Sequence, residues 1–242
     1  MTTVPQLTIL ANLYGSDKGS QHHCAHRYTD AYEQLFSTLH NKPLRLLEIG
    51  LMHGRTQHDY AGKFDQVGCP SLRMWAEYFP RAQIFGLDIV DFRALAEDRI
   101  TIGIANQGDR ASLEGYAVAT GGQFDIIIDD GSHASHHQQI TLGVLFQHLS
   151  PGGLYCIEDL HYQPADMELP GITPTRAFLR GLTEARRGNR LPLLQSELGH
   201  LIDQVEFLRF FDSQSNQWPK ESLADALAVL RKKPAGVGSG QS

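Results

Sequence analysis

The sequence predicts an α/β protein built on a mostly parallel, doubly wound sheet, closed at its C-terminal edge by an antiparallel hairpin. Three observations predict it. Short aliphatic runs alternate with stretches of helical period, the mark of repeated strand–helix units. Those runs are apolar on consecutive residues, as in parallel strands covered on both faces. Two of them, residues 124–130 and 152–159, end in paired acids, and ligands of open α/β sheets sit beyond such carboxyl ends.

Each element has its own signal. Tyr28, Tyr32, Leu35, Phe36 and Leu39 share one helical face ahead of the first strand, residues 45–50. Leu72, Trp75, Ala76 and Phe79 keep the helical spacing, with Pro70-Ser71 as a start signal and Pro80 as a stop. Residues 84–89 read as the second strand, 100–103 as a weak third, and the two acid-ended runs as the fourth and fifth. Leu142, Leu145, Phe146 and Leu149 form a helical stripe that Ser150-Pro151-Gly152-Gly153 ends. Residues 174–188 read as a further helix with Phe178 and Leu182 inward, and residues 205–211 with 226–231 as the edge hairpin. Residues 57–69 read as an insertion and 161–173 as a Pro-containing loop. The Gly/Ser-rich stretch 234–242 reads as a disordered tail. The organisation is thus an N-terminal helical or lid segment (1–40), an α/β domain (41–233) and that tail.

Composition narrows the function. A chain of 242 residues with 41% hydrophobic and 20% charged residues suits one soluble globular domain. The net charge of −6 and the want of a basic stripe argue against nucleic acid. No apolar run reaches the roughly 18 residues that a membrane span needs. Three widely spaced cysteines, Cys24, Cys69 and Cys156, suggest neither a disulfide framework nor a zinc motif, which fits a reducing cytoplasm. No signal peptide is read at the N-terminus.

The acids carry the chemistry. Asp129, Asp130, Glu158 and Asp159 are expected to crowd one rim of the sheet, where they repel unless something positive joins them. A hard divalent cation is the simplest neutraliser, because Mg²⁺ and Ca²⁺ prefer oxygen ligands. Glu48-Ile49-Gly50 opens the first strand–helix turn, where glycine permits close approach of a ligand. Asp88 closes strand two, where an acid can accept hydrogen bonds from ribose hydroxyls. Gln107 and Asp109 follow strand three, where an adenine ring could lie; Asp109 equally reads as a helix cap before Ala111. Asp129 likewise reads as a cap for the helix after it. Asp17 and Lys18 read as a local ion pair. His22, His23 and His26 read as surface or lid residues, His136 and His137 as surface residues, and Trp75 and Phe79 as core.

Six short motifs occurring in order support a resemblance. They are Tyr14-Gly15-Ser16-Asp17-Lys18-Gly19, Leu47-Glu48-Ile49-Gly50, Ser71-Leu72-Arg73-Met74-Trp75 with Tyr78-Phe79-Pro80, Phe85-Gly86-Leu87-Asp88-Ile89, Ile128-Asp129-Asp130-Gly131-Ser132-His133, and residues 152–160. Together they resemble class I S-adenosylmethionine-dependent O-methyltransferases acting on sugar hydroxyls, of the macrolide deoxysugar and mycobacterial polysaccharide kind. The resemblance runs from about Tyr14 to Leu160. It implies the Rossmann-like class I methyltransferase fold, S-adenosylmethionine and Mg²⁺ as cofactors, and a glycosyl or diol acceptor. It implies Asp130, Glu158 and Asp159 as metal carboxylates and His133 as catalytic base. It places Glu48, Gly50 and Asp88 around the cofactor, where Gln107, Asp109 and Asp129 are further candidates by their strand-end positions, and makes a homo-oligomer a possible assembly. One departure is Met52-His53-Gly54-Arg55-Thr56, where relatives carry a Gly-rich stretch.

The implied chemistry is coherent. An alkyl hydroxyl is a poor nucleophile until deprotonated, a cation lowers the pKa of an oxygen it binds, and an imidazole is a base near pH 7. A vicinal diol could chelate the metal with two oxygens. Two alternatives stay open: a cephalosporin-hydroxylase-like oxygenase with the same acidic motifs, and a non-catalytic cofactor-binding module.

Overall fold

Strands built of consecutive aliphatic residues need cover on both faces, and helices supply it here on each side of one sheet. The computed structural model describes residues 4–22, 24–51, 68–186, 198–199 and 201–236. The main elements are α1 (Gln6–Tyr14), α2 (Tyr28–Phe36), β1 (Arg45–Ile49), α3 (Pro70–Tyr78), β2 (Gln83–Asp88), β3 (Ile100–Ile104), α4 (Arg110–Ala119), β4 (Phe124–Asp129), α5 (Ser135–Leu145), β5 (Leu149–Ile157), α6 (Thr175–Arg186), β6 (Val205–Phe211) and β7 (Leu227–Lys232). The strand order is β3-β2-β1-β4-β5-β7-β6. β1 to β5 pair in parallel, and β7 runs antiparallel to both β5 and β6. This is the expected doubly wound sheet with its edge hairpin.

The pleat divides the core in two. Leu46, Ile84, Ile126, Ile128, Leu154 and Cys156 face α1, α2 and α3, where Leu7, Tyr32, Phe36 and Trp75 are fully buried. Leu47, Ile49, Phe85, Leu87, Ile127, Tyr155 and Ile157 face the other way, onto Leu113, Leu142, Leu145, Leu179 and Leu182 of α4, α5 and α6. Each strand thus feeds both layers.

Two boundaries differ from the sequence reading. α2 ends at Phe36, and residues 37–39 tighten into a 3₁₀ turn. β5 begins at Leu149, so Ser150 and Pro151, expected to precede a strand that starts at Gly152, lie within it. Phe124 pairs with Leu149 across a register shift, and Gly152 takes the left-handed conformation (φ +80°) that the irregularity requires. Asp109 does cap α4, its Oδ1 accepting from the Ala111 amide at 2.9 Å. Of the expected insertion 57–69, residues 57–67 lie outside the described residues, as do Met52, His53, Gly54, His23 and the tail from 237 onward. No helix among the described residues is long and apolar enough to cross a membrane. All three cysteines are free.

Candidate active site

Register brings the acid-bearing ends together. Ile49 stands level with Leu87 and with Asp129, Asp88 with Ile104, and Asp129 with Ile157. Gly50, Asp88, Asp130 and Glu158 therefore emerge on one rim. The turns after β1 and β4 touch: a Cβ on Gly50 would lie 2.1 Å from the Asp130 carbonyl oxygen. Only glycine fits there, and its φ of +83° also suits only glycine well.

On the β1–β3 side the polar groups are held by backbone. Asp88 accepts from the Leu51 amide at 2.8 Å and the Val90 amide at 2.9 Å, and burial raises its pKa against those bonds. Gln107 donates to Asp129 Oδ1 at 2.6 Å and accepts from the Ser132 amide at 3.0 Å, tying the β3 exit to the β4 exit. Asp129 is no helix cap. Ala134 precedes α5, and the Asp129 carboxyl is fully buried, with Oδ2 lacking a hydrogen-bond partner. Burial pushes its pKa up to about 7.

A lysine fills the centre. Lys18, expected to pair locally with Asp17, turns inward and is 1% exposed, with Asp17 among the acids whose charge acts on it. Its Nζ lies 3.2 Å from Glu48 Oε1 and 3.2 Å from Glu158 Oε2, and it donates to Asp130 Oδ2. Burial works against this charge, but Asp130, Glu158 and Glu48 overcome it and hold the Lys18 pKa well above its usual value. Glu48 is buried and takes a 3.1 Å bond from the Trp75 indole N–H; burial raises its carboxyl to about 7 despite Lys18. Burial, then Asp130, raises Glu158. Tyr32 donates to Glu158 Oε1 at 2.6 Å, so both Glu158 oxygens have protein partners.

Asp159 faces another group of residues. Tyr28 donates to its Oδ1 at 2.7 Å; His26 Nε2 (3.6 Å) and His161 Nδ1 (3.9 Å) also face Oδ1, and His133 Nε2 faces Oδ2 at 3.9 Å. Burial would raise Asp159, but His26, His133 and His161 outweigh it and hold the carboxyl below its usual value. Burial lowers His161 to about 4. His133 (φ +61°) and Asp159 (φ +55°) both sit in the left-handed region. Two such residues facing each other mark strain stored where side chains must point at one spot.

The expected residues are therefore brought together, with a shift of partners. Among the described residues, Asp130, His133 and Asp159 form a set whose ligand atoms lie within 4.8 Å of one another. Two carboxylate oxygens in that set suit a hard cation. Glu158, expected as the third carboxylate, lies next to the set but spends its oxygens on Lys18 and Tyr32. His26, expected at the surface, is buried, with Nδ1 on Ser213 Oγ at 2.8 Å. His137 bonds Ser132 Oγ at 2.7 Å, whereas exposed His22 meets only the Asn12 carbonyl at 2.8 Å. Lys18, Tyr28, Tyr32, His26 and His161 were missed as site residues. The only signal for Lys18 was its place in a motif. Tyr28 and Tyr32 share the apolar face of α2 and read as core, His26 stands two residues ahead of Tyr28, and His161 lies two residues after Asp159. Tyr162 and Trp218 wall the outer side, Tyr162 edge-on to His133 at 6.0 Å and tilted against Trp218 at 5.3 Å.

No family model matches the chain. It is 42% identical over 166 residues to 8-demethyl-8-alpha-L-rhamnosyl tetracenomycin-C 2'-O-methyltransferase of Streptomyces olivaceus, covering 67% of this chain and 40% of that protein. It is 40% identical over 156 residues to mycinamicin VI 2''-O-methyltransferase of Micromonospora griseorubida, covering 64% of this chain and 36% of that protein. The chain thus spans less than half the length of these curated relatives. Among solved structures it is similar to MycE methyltransferase from the mycinamycin biosynthetic pathway in complex with Mg, SAH and mycinamycin VI. That match has a TM-score of 0.71 and 29% identity, and covers 98% of this chain and 57% of that one. An O-methyltransferase from Bacillus cereus in complex with SAH, 13% identical, matches in fold alone, with a TM-score of 0.51 over 96% of this chain and 93% of that one.

Proposed function

We propose, for a chain that groups by sequence with sugar O-methyltransferases and by fold with class I methyltransferases, that it methylates a hydroxyl of a glycosylated natural product. The methyl donor is S-adenosylmethionine and the metal Mg²⁺. The observation that carries this reading is the meeting of Asp130, Asp159 and His133 at the rim where Gly50, Asp88, Gln107 and Asp129 line the neighbouring strand ends.

When bound, the cofactor supplies an electrophilic methyl group, and the cation lowers the pKa of an acceptor hydroxyl. This chain's residues do the rest. Asp130 and Asp159 hold the metal, with Glu158 behind them. Asp88 and Gln107 offer polar atoms for the cofactor's ribose and base, Glu48 and Gly50 shape the first turn, and Asp109 and Asp129 brace the shelf. His133 Nε2 stands 3.9 Å from Asp159 Oδ2, too far for a hydrogen bond, and serves as the base that takes the acceptor's proton. Tyr162 and Trp218 offer aromatic faces to the sugar ring. The loop 161–173, tied to α5 by the Ser135 amide on Glu168 at 2.8 Å, forms one wall of the acceptor pocket. The segment expected as a lid packs its helices α1 and α2 on one face of the 41–233 domain and carries Lys18, His26, Tyr28 and Tyr32 to the rim, and the enzyme works in the cytoplasm.

The test is transfer of labelled methyl from S-adenosylmethionine to a rhamnosylated or macrolide acceptor, with Mg²⁺ and with chelator. Metal-dependent product is expected, and Asp159→Asn should weaken the Mg²⁺ titration. No product with any diol acceptor, or consumption of dioxygen in its place, would remove this reading.

A further inference from the structure

Asp159 has two sides, and the reaction just described uses one. Oδ2 faces His133 and Asp130, while Oδ1 faces a separate pair of imidazoles. His26 Nε2 is 3.6 Å from Oδ1 and His161 Nδ1 is 3.9 Å from it. Among the described residues, His26, Asp159 and His161 form a second set whose ligand atoms lie within 4.8 Å of one another. Both imidazoles are buried, their side chains 2% and 1% exposed. His26 Nε2 has no hydrogen-bond partner, and neither His161 nitrogen has one. Three orphaned ring nitrogens beside one carboxylate are costly to bury unless something satisfies them.

We infer that His26 Nε2, His161 and Asp159 Oδ1 form a second cation site, selective for a first-row transition ion of the Zn²⁺ type. The donor set carries the selectivity. Two imidazoles and one carboxylate suit Zn²⁺ and its neighbours, whereas Mg²⁺ demands oxygen and keeps its water. With bonds of 2.0–2.1 Å, tetrahedral Zn²⁺ places its ligands about 3.4 Å apart, so the 3.6 and 3.9 Å contacts to Oδ1 need only small closure. The local charge allows it: Glu48, Asp130 and Glu158 already share the ammonium of Lys18, and Asp159 beside them adds a fourth carboxylate. The rings are already held in place. His26 stacks on Tyr28 at 4.9 Å and has Nδ1 on Ser213 Oγ, a bond that orients a metal-ligating imidazole from behind. His161 stands edge-on to Trp218 at 5.2 Å.

The consequence is a clamp. His26 precedes α2 and His161 follows β5, so one ion would fasten the N-terminal segment to the rim that carries His133. Asp159 would bridge the two sites as a shared carboxylate, one oxygen to each.

The test titrates Zn²⁺, and separately Co²⁺, into the full chain in saturating Mg²⁺. One equivalent is expected to bind, and Co²⁺ should give the visible absorption of a four-coordinate imidazole site. His26→Gln and His161→Gln should each weaken Zn²⁺ binding at least tenfold, while His22→Gln should leave it unchanged. The inference is overturned if Co²⁺ gives no such bands in the unsubstituted protein, if Mg²⁺ displaces the ion stoichiometrically, or if both variants keep the original isotherm. Mg²⁺-dependent methyl transfer, assayed in parallel, answers separately: its loss with Zn²⁺ binding intact would count against the proposed reaction and leave the clamp standing.

Discussion

Glu48 and His133 show what single residues contribute. Glu48 is fully buried, and burial lifts its carboxyl from an ordinary 4.5 to about 7. A carboxyl raised on folding keeps a proton that the unfolded chain has released between those values. Its stabilising contribution is therefore complete below pH 4.5 and is lost as pH rises through 7. Stability should fall across that window by up to about 3 kcal/mol from this group. Glu48→Gln should flatten the slope in thermal melts from pH 4.5 to 7.5, and an unchanged slope would assign it elsewhere. For His133, removal of the base should act on the acceptor step alone. His133→Ala should cut turnover by about 10²–10⁴-fold, with SAH affinity by calorimetry little altered. Full turnover in that variant would take His133 out of the reaction.

At the scale of elements, α3 links the core to the site. It begins at Pro70, behind a left-handed Cys69 (φ +47°), and delivers Trp75 to the sheet face. Trp75 meets Tyr32 edge-on at 5.6 Å and Phe36 at 6.0 Å, and its indole N–H bonds Glu48. One residue thus fills the core and satisfies a site carboxylate. Trp75→Ala should cost about 3–5 kcal/mol, as for a large cavity. Trp75→Phe keeps most of the volume and loses the Glu48 bond, so it should cost less. Equal losses in chemical denaturation would show that the hydrogen bond, not the packing, dominates.

The whole molecule is organised around one electrostatic problem. Four segments far apart in the chain, bearing Glu48, Asp88, Asp129 with Asp130, and Glu158 with Asp159, send charge to the same rim, and the N-terminal segment answers with Lys18. Backbone bonds fix that segment: the Thr29 amide donates to the Lys18 carbonyl at 3.1 Å and the His26 amide to the Asp17 carbonyl at 2.9 Å. Removing one partner of a buried ion network costs about 3–5 kcal/mol. Lys18→Met should lose about that much in chelator. The freed carboxylates should then bind Mg²⁺ more strongly, so its stabilising shift should exceed that of the unsubstituted protein. Equal shifts in the two proteins would mean that lysine and metal do not share the cluster.

The fold was legible because its signals are local. Aliphatic runs such as 45–50 and 124–129, and the helical stripe of Leu72, Trp75 and Phe79, read directly as elements, and six motifs in order placed Asp130, His133 and Asp159 near one another. The sequence by itself thus determined the α/β class, the order of the elements and which acids stand at strand ends. It could not say which cation meets which acid. Lys18 reaches Asp130 and Glu158 across 112 and 140 residues, and Asp159 meets His26 from the segment ahead of α2. Only the tertiary structure decided those pairings, because Coulombic and hydrogen-bond partners are chosen by distance in space, and that distance exists only once the strands are level and the N-terminal segment has folded over them.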